Sequence, residues 1–539
     1  MNFSLKEKFQ AVPKYIWILL AIIFVGVFLR TYQFRDWLYF YPDQARDLVL
    51  ARDVISGQSS WPVLGAIAAS SPFKLGPMYY YFQIIVGEIF GVHPETMAYP
   101  DLFFGVLSIP LLFYLLRKYF TPNLSLLLTS IYSVSYFAIM YSRFAWNTNP
   151  IPFFVILFFL ALLGCMDTEE KRKWLWAVAL GVSIGVGVQL HTVLLLLMPA
   201  TVGCVFVYLL WKRQLKWSIV AIVIAFILLL NLGQLSSERE TNFHNARYFW
   251  TEMTTRSPQG GHGFFKNMAL DILCHAQANT HLLTSLDNKD YCNTVEDLVN
   301  TPGHPADRVP YSITLGSLVF GLCFLAFSFF SWLFFMKRET DSKRKQFLGL
   351  LALYTGLSFF VIFPVMDDNA PMRYFLPTIF VPFICLGLLF RYISLRFIEK
   401  GRYIILGITI LFVLTNITSL GNEALAYAQN NQSRSNYVVL GELEQMRDFI
   451  LIYSGKRNEI YFMGAQKFYQ NYTKPFSFVF EEKGVMITKV KSIDALTPGK
   501  PLFYIADEGE DSLARYIPEH PVLHEKRIGH VILLILKNQ

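Results

Sequence analysis

The sequence predicts an α-helical polytopic membrane protein of about eleven spans. Its first outer loop carries interfacial helices, and its C-terminal end carries a small soluble α/β domain. Three observations lead there. Of 539 residues, 54% are hydrophobic and 16% charged, with mean hydropathy +0.39. A soluble domain carries about 25% charged residues, so lipid must solvate much of this chain. Eleven runs approach the roughly 20 apolar residues that a span needs. Beyond about Gly421 the hydropathy falls and the pattern becomes that of a water-soluble unit.

Lys6, Lys8 and Lys14 precede the first apolar run. Arg30, Tyr32 and Phe34 follow it where a small-residue cleavage site would stand, so the run reads as an uncleaved first span. The runs are 13–31, 98–117, 122–141, 150–167, 173–190, 192–211, 217–234, 311–336, 347–365, 374–392 and 403–421. Segment 76–91 is shorter, opens with Gly76-Pro77 and contains Glu88, and reads as re-entrant or interfacial. With the N-terminus cytoplasmic, every short basic cluster falls inside: Arg117-Lys118, Lys171-Arg172-Lys173, Lys212-Arg213 with Lys216, Lys337-Arg338 with Lys343-Arg344-Lys345, and Arg391 to Arg402. A twelfth span at 76–91 would invert all of them. This places 32–97, 142–149, 235–310 and 366–372 outside, together with a 422–539 domain, leaving 1–421 as the transmembrane unit. In that domain 436–453 reads as a helix, and 459–463, 476–480, 501–505 and 530–536 read as strands.

The net charge of +8 is first an orientation signal, and no nucleic-acid reader fingerprint accompanies it. Cys165, Cys204, Cys323 and Cys385 lie in spans; Cys274 and Cys292 are the outside pair. An oxidising compartment would allow these two a disulfide worth about 3 kcal/mol; the alternative is two loop thiols. No Cys/His metal motif is present.

Candidate chemistry gathers in the outer segments. After the first span, Pro42-Asp43 opens a helix that Gly57 stops, with Asp43 near its N-cap and an apolar stripe of Leu48, Val49, Ala51, Val54 and Ile55. Asp43 and Asp47 are four apart and share a helix face. Two such acids suit a divalent cation (Mg or Mn) or deprotonation of a hydroxyl; the plainer reading is a cap and a solvated charge. Gly76-Pro77 leads into Tyr79-Tyr80-Tyr81, an aromatic wall or an ordinary interface belt. Arg143-Phe144-Ala145-Trp146-Asn147 forms a membrane mouth, with Arg143 an anion contact or a snorkelling side chain. Gln189-Leu190-His191 is an outer turn whose His is a polar cap or a ligand. Asp367-Asp368 precede Arg373-Tyr374-Phe375-Leu376-Pro377, where Arg373 suits a lipid phosphate.

Together these segments resemble the GT-C membrane glycosyltransferases, nearest the protein mannosyltransferase and aminoarabinose lipid A transferase branch, over roughly 1–400. The resemblance implies a polyprenyl-phosphate monosaccharide donor used on the outer face of a bacterial-type plasma membrane, with a lipid, glycan or protein acceptor. It assigns the required acid to Asp43, with Asp47 as second carboxylate. Arg46, Tyr79, Tyr80, Arg143, Asn147, His191, Arg373 and Tyr374 would bind substrate. The family's second acid is Gln44 here, its His is replaced by Leu75-Gly76, and Asn147 and Asn149 stand where an Asp is common. These departures bear on metal use. A lipid-linked sugar transporter and a non-catalytic glycan-assembly protein are the alternatives; a transporter would place its charges near mid-bilayer.

Overall fold

The computed structural model describes residues 13–68, 71–255, 264–286, 292, 311–365, 370–429, 438–454, 459–464, 466–490, 502–507 and 522–536. Helices α1 (Lys14–Thr31), α2 (Pro42–Ile55), α3 (Met78–Phe90), α4 (Pro94–Met97) and α5 (Tyr99–Leu116) open the chain. Then come α6 (Pro122–Val134), α7 (Tyr136–Met140), α8 (Ile151–Met166), α9 (Lys173–Leu190), α10 (Thr192–Trp211) and α11 (Trp217–Leu230). Helices α12 (Leu232–Glu240), α13 (His244–Thr255) and α14 (Phe264–Thr284) precede α15 (Tyr311–Arg338), α16 (Ser342–Ile362), α17 (Val381–Arg396) and α18 (Gly401–Ala428).

Among the described residues, seven helices are long and apolar enough to cross a membrane, or nine if each bent pair is one span, short of the eleven predicted. The shortfall has local causes. Pro377 bends the Met372–Thr378 3-10 segment 60° from α17, and α11 meets α12 at 67°. The 122–141 run breaks at Ser135. Its freed groups are satisfied inside the protein: Tyr136 N–H donates to Asn416 Oδ1 at 3.0 Å and Ser135 Oγ to the Leu282 carbonyl at 2.8 Å. Irregular backbone survives at membrane depth only on such terms. Helix α8 has sixteen residues, apolar all round, and lies buried at the bundle centre, whereas α1 exposes Phe24 and Phe28 to the surroundings.

The C-terminal unit comprises α19 (Leu440–Ser454), β1 (Glu459–Gly464), α20 (Gln466–Glu481), β2 (Met486–Lys489), β3 (Leu502–Asp507), β4 (Val522–Ile528) and β5 (Val531–Leu536). The sheet order is β2-β1-β3-β5-β4, parallel across β2-β1-β3 and antiparallel across β3-β5-β4. The predicted strand at 476–480 is helical instead: Phe476, Val479 and Phe480 bury one face of α20, a spacing of three and four residues. All of β5 is buried, so both faces of this strand are covered, while the edge strand β4 is exposed.

This unit shares a core with the segment that follows α1. Leu48, Ala51 and Val54 of α2 pack in one cluster with Leu443, Phe476, Phe478 and Ile535. Tyr39 bridges Val439, Leu440 N–H donates to the Leu38 carbonyl, and Arg35 forks onto Glu444 with two 2.7 Å bonds. Helix α18 runs seven residues past the predicted end of the transmembrane unit at 421.

Candidate active site

Helix α2 starts at Pro42 with Tyr41 as its N-cap, so Asp43 sits inside the first turn and points outward. The cap is closed by Gln44: its Oε1 accepts the Tyr41 N–H at 3.0 Å while its Nε2 donates to the Ala145 carbonyl at 2.7 Å. A carboxylate would lack that donor, which explains the amide at this position. Arg46 lies between the two acids. Its Nη1 donates to Asp43 Oδ1 at 2.9 Å and its Nε to Asp47 Oδ1 at 2.8 Å. Asp43 is 56% exposed and Asp47 5%. Burial pushes the Asp47 carboxyl up to about 6 against the pull of Arg46. The Tyr80 hydroxyl also donates to Asp47, and burial raises that phenol.

The second wall is built from α3 and its neighbours. Gly76 lies against Gln189 so closely that a Cβ would collide with its Oε1. That oxygen accepts the Met78 N–H at 3.1 Å, which starts α3 and aims Tyr79 and Tyr80. The Tyr79 hydroxyl donates to Asp101 Oδ2 at 2.8 Å, both groups buried. Asp101 escaped the sequence analysis because it sits in the first turn of an apolar span; its signal was being the sole acid in 98–117.

The mouth at 142–149 joins the walls. Asn147 Nδ2 donates to the Leu190 carbonyl at 2.6 Å, and Asn149 Nδ2 to the Phe144 carbonyl at 2.6 Å. Arg373 stacks over Trp146 at 5.0 Å and Tyr374 at 5.6 Å, and makes no ion pair among the described residues. His191 packs edge-on to Tyr374, and its Nδ1 accepts the Val193 N–H as the cap of α10. Burial, helped by Arg373, pushes His191 down to about 3, so its imidazole is neutral. Trp146, quoted only as part of the mouth, is the platform for Arg373.

Two expectations fail. Arg143 is not at the mouth's surface: its Nη1 and Nη2 donate to the carbonyls of Leu29, Arg30, Tyr32 and Gln33 at 2.7–3.1 Å. It caps the C-terminus of α1, whose last carbonyls lack helical partners, and has no free fork for a phosphate. Nor does a disulfide join Cys274 and Cys292; both are buried, Cys274 within α14 against the bundle core, with Cys292 N–H held by the Ala370 carbonyl. Asp367 and Asp368 lie outside the described residues.

A divalent cation on Asp43 and Asp47 would have to displace the Arg46 guanidinium. Among the described residues no three His, Cys, Asp or Glu side chains gather as ligands. The donor set therefore does not fit a cation at this place, and no step below uses one.

Residues 72–235 match the family model described as dolichyl-phosphate-mannose-protein mannosyltransferase. That stretch holds Tyr79, Asp101, Trp146 and His191. Among curated proteins no sequence matches. The fold is similar to that of ArnT from Cupriavidus metallidurans in the apo state, at 12% identity and TM-score 0.54, covering 97% of each chain. It is also similar to the same protein bound to undecaprenyl phosphate, at 13% identity and TM-score 0.53, again covering 97% of each. The oligosaccharyltransferase AglB from Archaeoglobus fulgidus, in complex with an inhibitory peptide and a dolichol-phosphate, aligns at 13% identity and TM-score 0.48, covering 94% of this chain and 70% of that one. The chain therefore matches that family model over 72–235, which includes the mouth, and has an ArnT-like membrane fold from end to end.

Proposed function

We propose that this enzyme moves a monosaccharide from a polyprenyl-phosphate carrier to a hydroxyl of a lipid, glycan or protein acceptor, with inversion, on the extracytoplasmic face of the plasma membrane. The carrying observation is Arg373: a guanidinium with no acidic partner among the described residues, stacked on Trp146 and Tyr374 at the rim that also carries Asp43. ArnT bound to undecaprenyl phosphate supports a lipid-phosphate ligand for this fold.

Arg373 holds the carrier phosphate and takes up the charge that develops as the sugar's C1–O(phosphate) bond breaks. The acceptor oxygen attacks C1 from the opposite face, and its proton passes to the exposed Asp43 carboxylate, help worth about 10²–10⁴ in rate. Arg46 fixes Asp43, and Asp47 with Tyr80 fixes Arg46. The neutral His191 shapes the wall beside Tyr374.

The test reconstitutes the protein in vesicles with polyprenyl-phosphate-linked labelled sugars and envelope extract, alongside mass spectrometry of lipids, glycans and secreted proteins from cells lacking the gene. Arg373→Ala should weaken carrier binding, and Asp43→Asn should abolish transfer while carrier binding persists. Full transfer by Asp43→Asn at normal expression would overturn the assignment.

A further inference from the structure

Helix α14 carries a polar stripe that the mechanism leaves unused. Asn267, Asp271 and His275 stand at spacings of four, so they share one helix face. Asn267 is 1% and Asp271 0% exposed. Four of their atoms make no hydrogen bond among the described residues: Asn267 Oδ1, both Asp271 carboxyl oxygens and His275 Nε2. His275 Nε2 stands 3.5 Å from Asp271 Oδ1, too far for a good bond. Buried polar groups are almost always satisfied, and leaving one unmade costs about 1–3 kcal/mol. Four on one face is not a packing solution; it is the signature of a missing partner.

The surroundings define that partner. His275 packs against Phe375 at 4.8 Å and Phe359 at 6.0 Å, and Phe264 against Phe363 at 5.2 Å. No Lys or Arg pairs with Asp271 among the described residues, so an inorganic anion finds no charge to hold it. Two ligating side chains are too few for a metal. Burial pushes Asp271 up to about 8 and His275 down to about 4, which leaves both neutral at physiological pH. A neutral carboxyl group offers one donor and one acceptor side by side, an amide oxygen accepts, and an imidazole does either. Neutral donors and acceptors beside aromatic rings suit the adjacent hydroxyls and C–H face of a sugar.

Phe375, which touches the stripe, is two residues from Arg373 on the same 3-10 segment. We propose that Asn267, Asp271 and His275 form a hydroxyl-reading subsite for a neutral sugar ring, occupied by the sugar of the lipid-phosphate donor or by that of a glycan acceptor. The subsite selects which sugar the enzyme accepts, and it rests on the transfer reaction proposed above.

The experiment compares, on the full-length protein in nanodiscs, binding of a short polyprenyl phosphate with binding of the same carrier bearing mannose, glucose or a pentose. If the donor sugar fills the subsite, at least one sugar-bearing carrier binds more tightly than the bare one. Asp271→Leu and Asn267→Leu then reduce that advantage by roughly tenfold while leaving bare-carrier affinity intact. Arg373→Ala reduces bare and sugar-bearing affinity in parallel, and its failure to do so counts against the carrier reading alone. If the acceptor fills the subsite, the advantage survives and the KM for a glycan acceptor rises instead. Unchanged sugar advantage and unchanged acceptor KM in both correctly folded variants would overturn the subsite. Thermal melts decide folding, and Asp271→Glu, which keeps the carboxyl, should retain part of the advantage; a loss as large as that of the leucine variant would mean that the acid merely fills space.

Discussion

At the scale of single residues, burial separates two acids that the sequence presents as equivalents. Asp43 faces outward and stays largely exposed beside Arg46, while Asp47 is closed in beneath Arg46 and Tyr80. The sign of its titration follows. Because the folded carboxyl titrates near 6, above the ordinary range, the native state holds the proton more tightly than the unfolded chain. Its stability contribution is full below about pH 4 and is lost as pH rises through 6. Thermal melts of Asp47→Asn should flatten that slope; an unchanged slope would refute it. Arg143→Met should cost about 2–4 kcal/mol by stripping four bonds from the end of α1, without loss of carrier affinity. A selective loss of carrier binding at normal thermal stability would return Arg143 to the substrate. The spacing of Asp43 and Asp47 was legible, as was the polar-cap reading of His191. The use of Arg143 was not: a guanidinium on helix-end carbonyls and one on a phosphate need the same residue in the same sequence, and only the fold decides.

Secondary-structure elements show why hydropathy and helix length give different span counts. Apolar content marks α6, α7 and α8 as membrane material, but the chain shortens or breaks these helices where neighbours satisfy their backbone. Asn416 does this for the gap at Ser135, accepting from Tyr136 N–H and donating to the Leu283 carbonyl. Asn416→Leu should therefore cost about 2–4 kcal/mol and speed amide exchange at Tyr136; no change in that exchange would remove the asparagine's role. The Gly76-Pro77 turn was legible as a turn, but its reason lies in Gln189, 113 positions away. Gly76→Ala should push α3 off its Met78–Gln189 bond, at about 1–3 kcal/mol, and weaken carrier binding with it. In the C-terminal unit, alternating aromatics at 476–480 mimic a strand while the buried positions follow a helix.

For the whole molecule, the decisive fact is that α2 buries its apolar face against the C-terminal unit rather than against the bundle alone. A chain ending after Ala428 should expose Leu48, Ala51 and Val54, lose cooperative unfolding of the outer loop and lose transfer. If it kept both, the C-terminal unit would be an accessory. Arg35 and Glu444, 409 residues apart, form the outer clasp; exchanging the two charges should restore what either single reversal loses. That long-range closure also sets an order of events during biogenesis. The loop that carries Asp43 leaves the ribosome roughly 400 residues before the partners that hold its helix, and contacts between such distant segments form late. A partly synthesised chain in the membrane already displays Asp43 yet lacks the scaffold that positions its helix, so on the proposed reading transfer has to wait for the C-terminal unit.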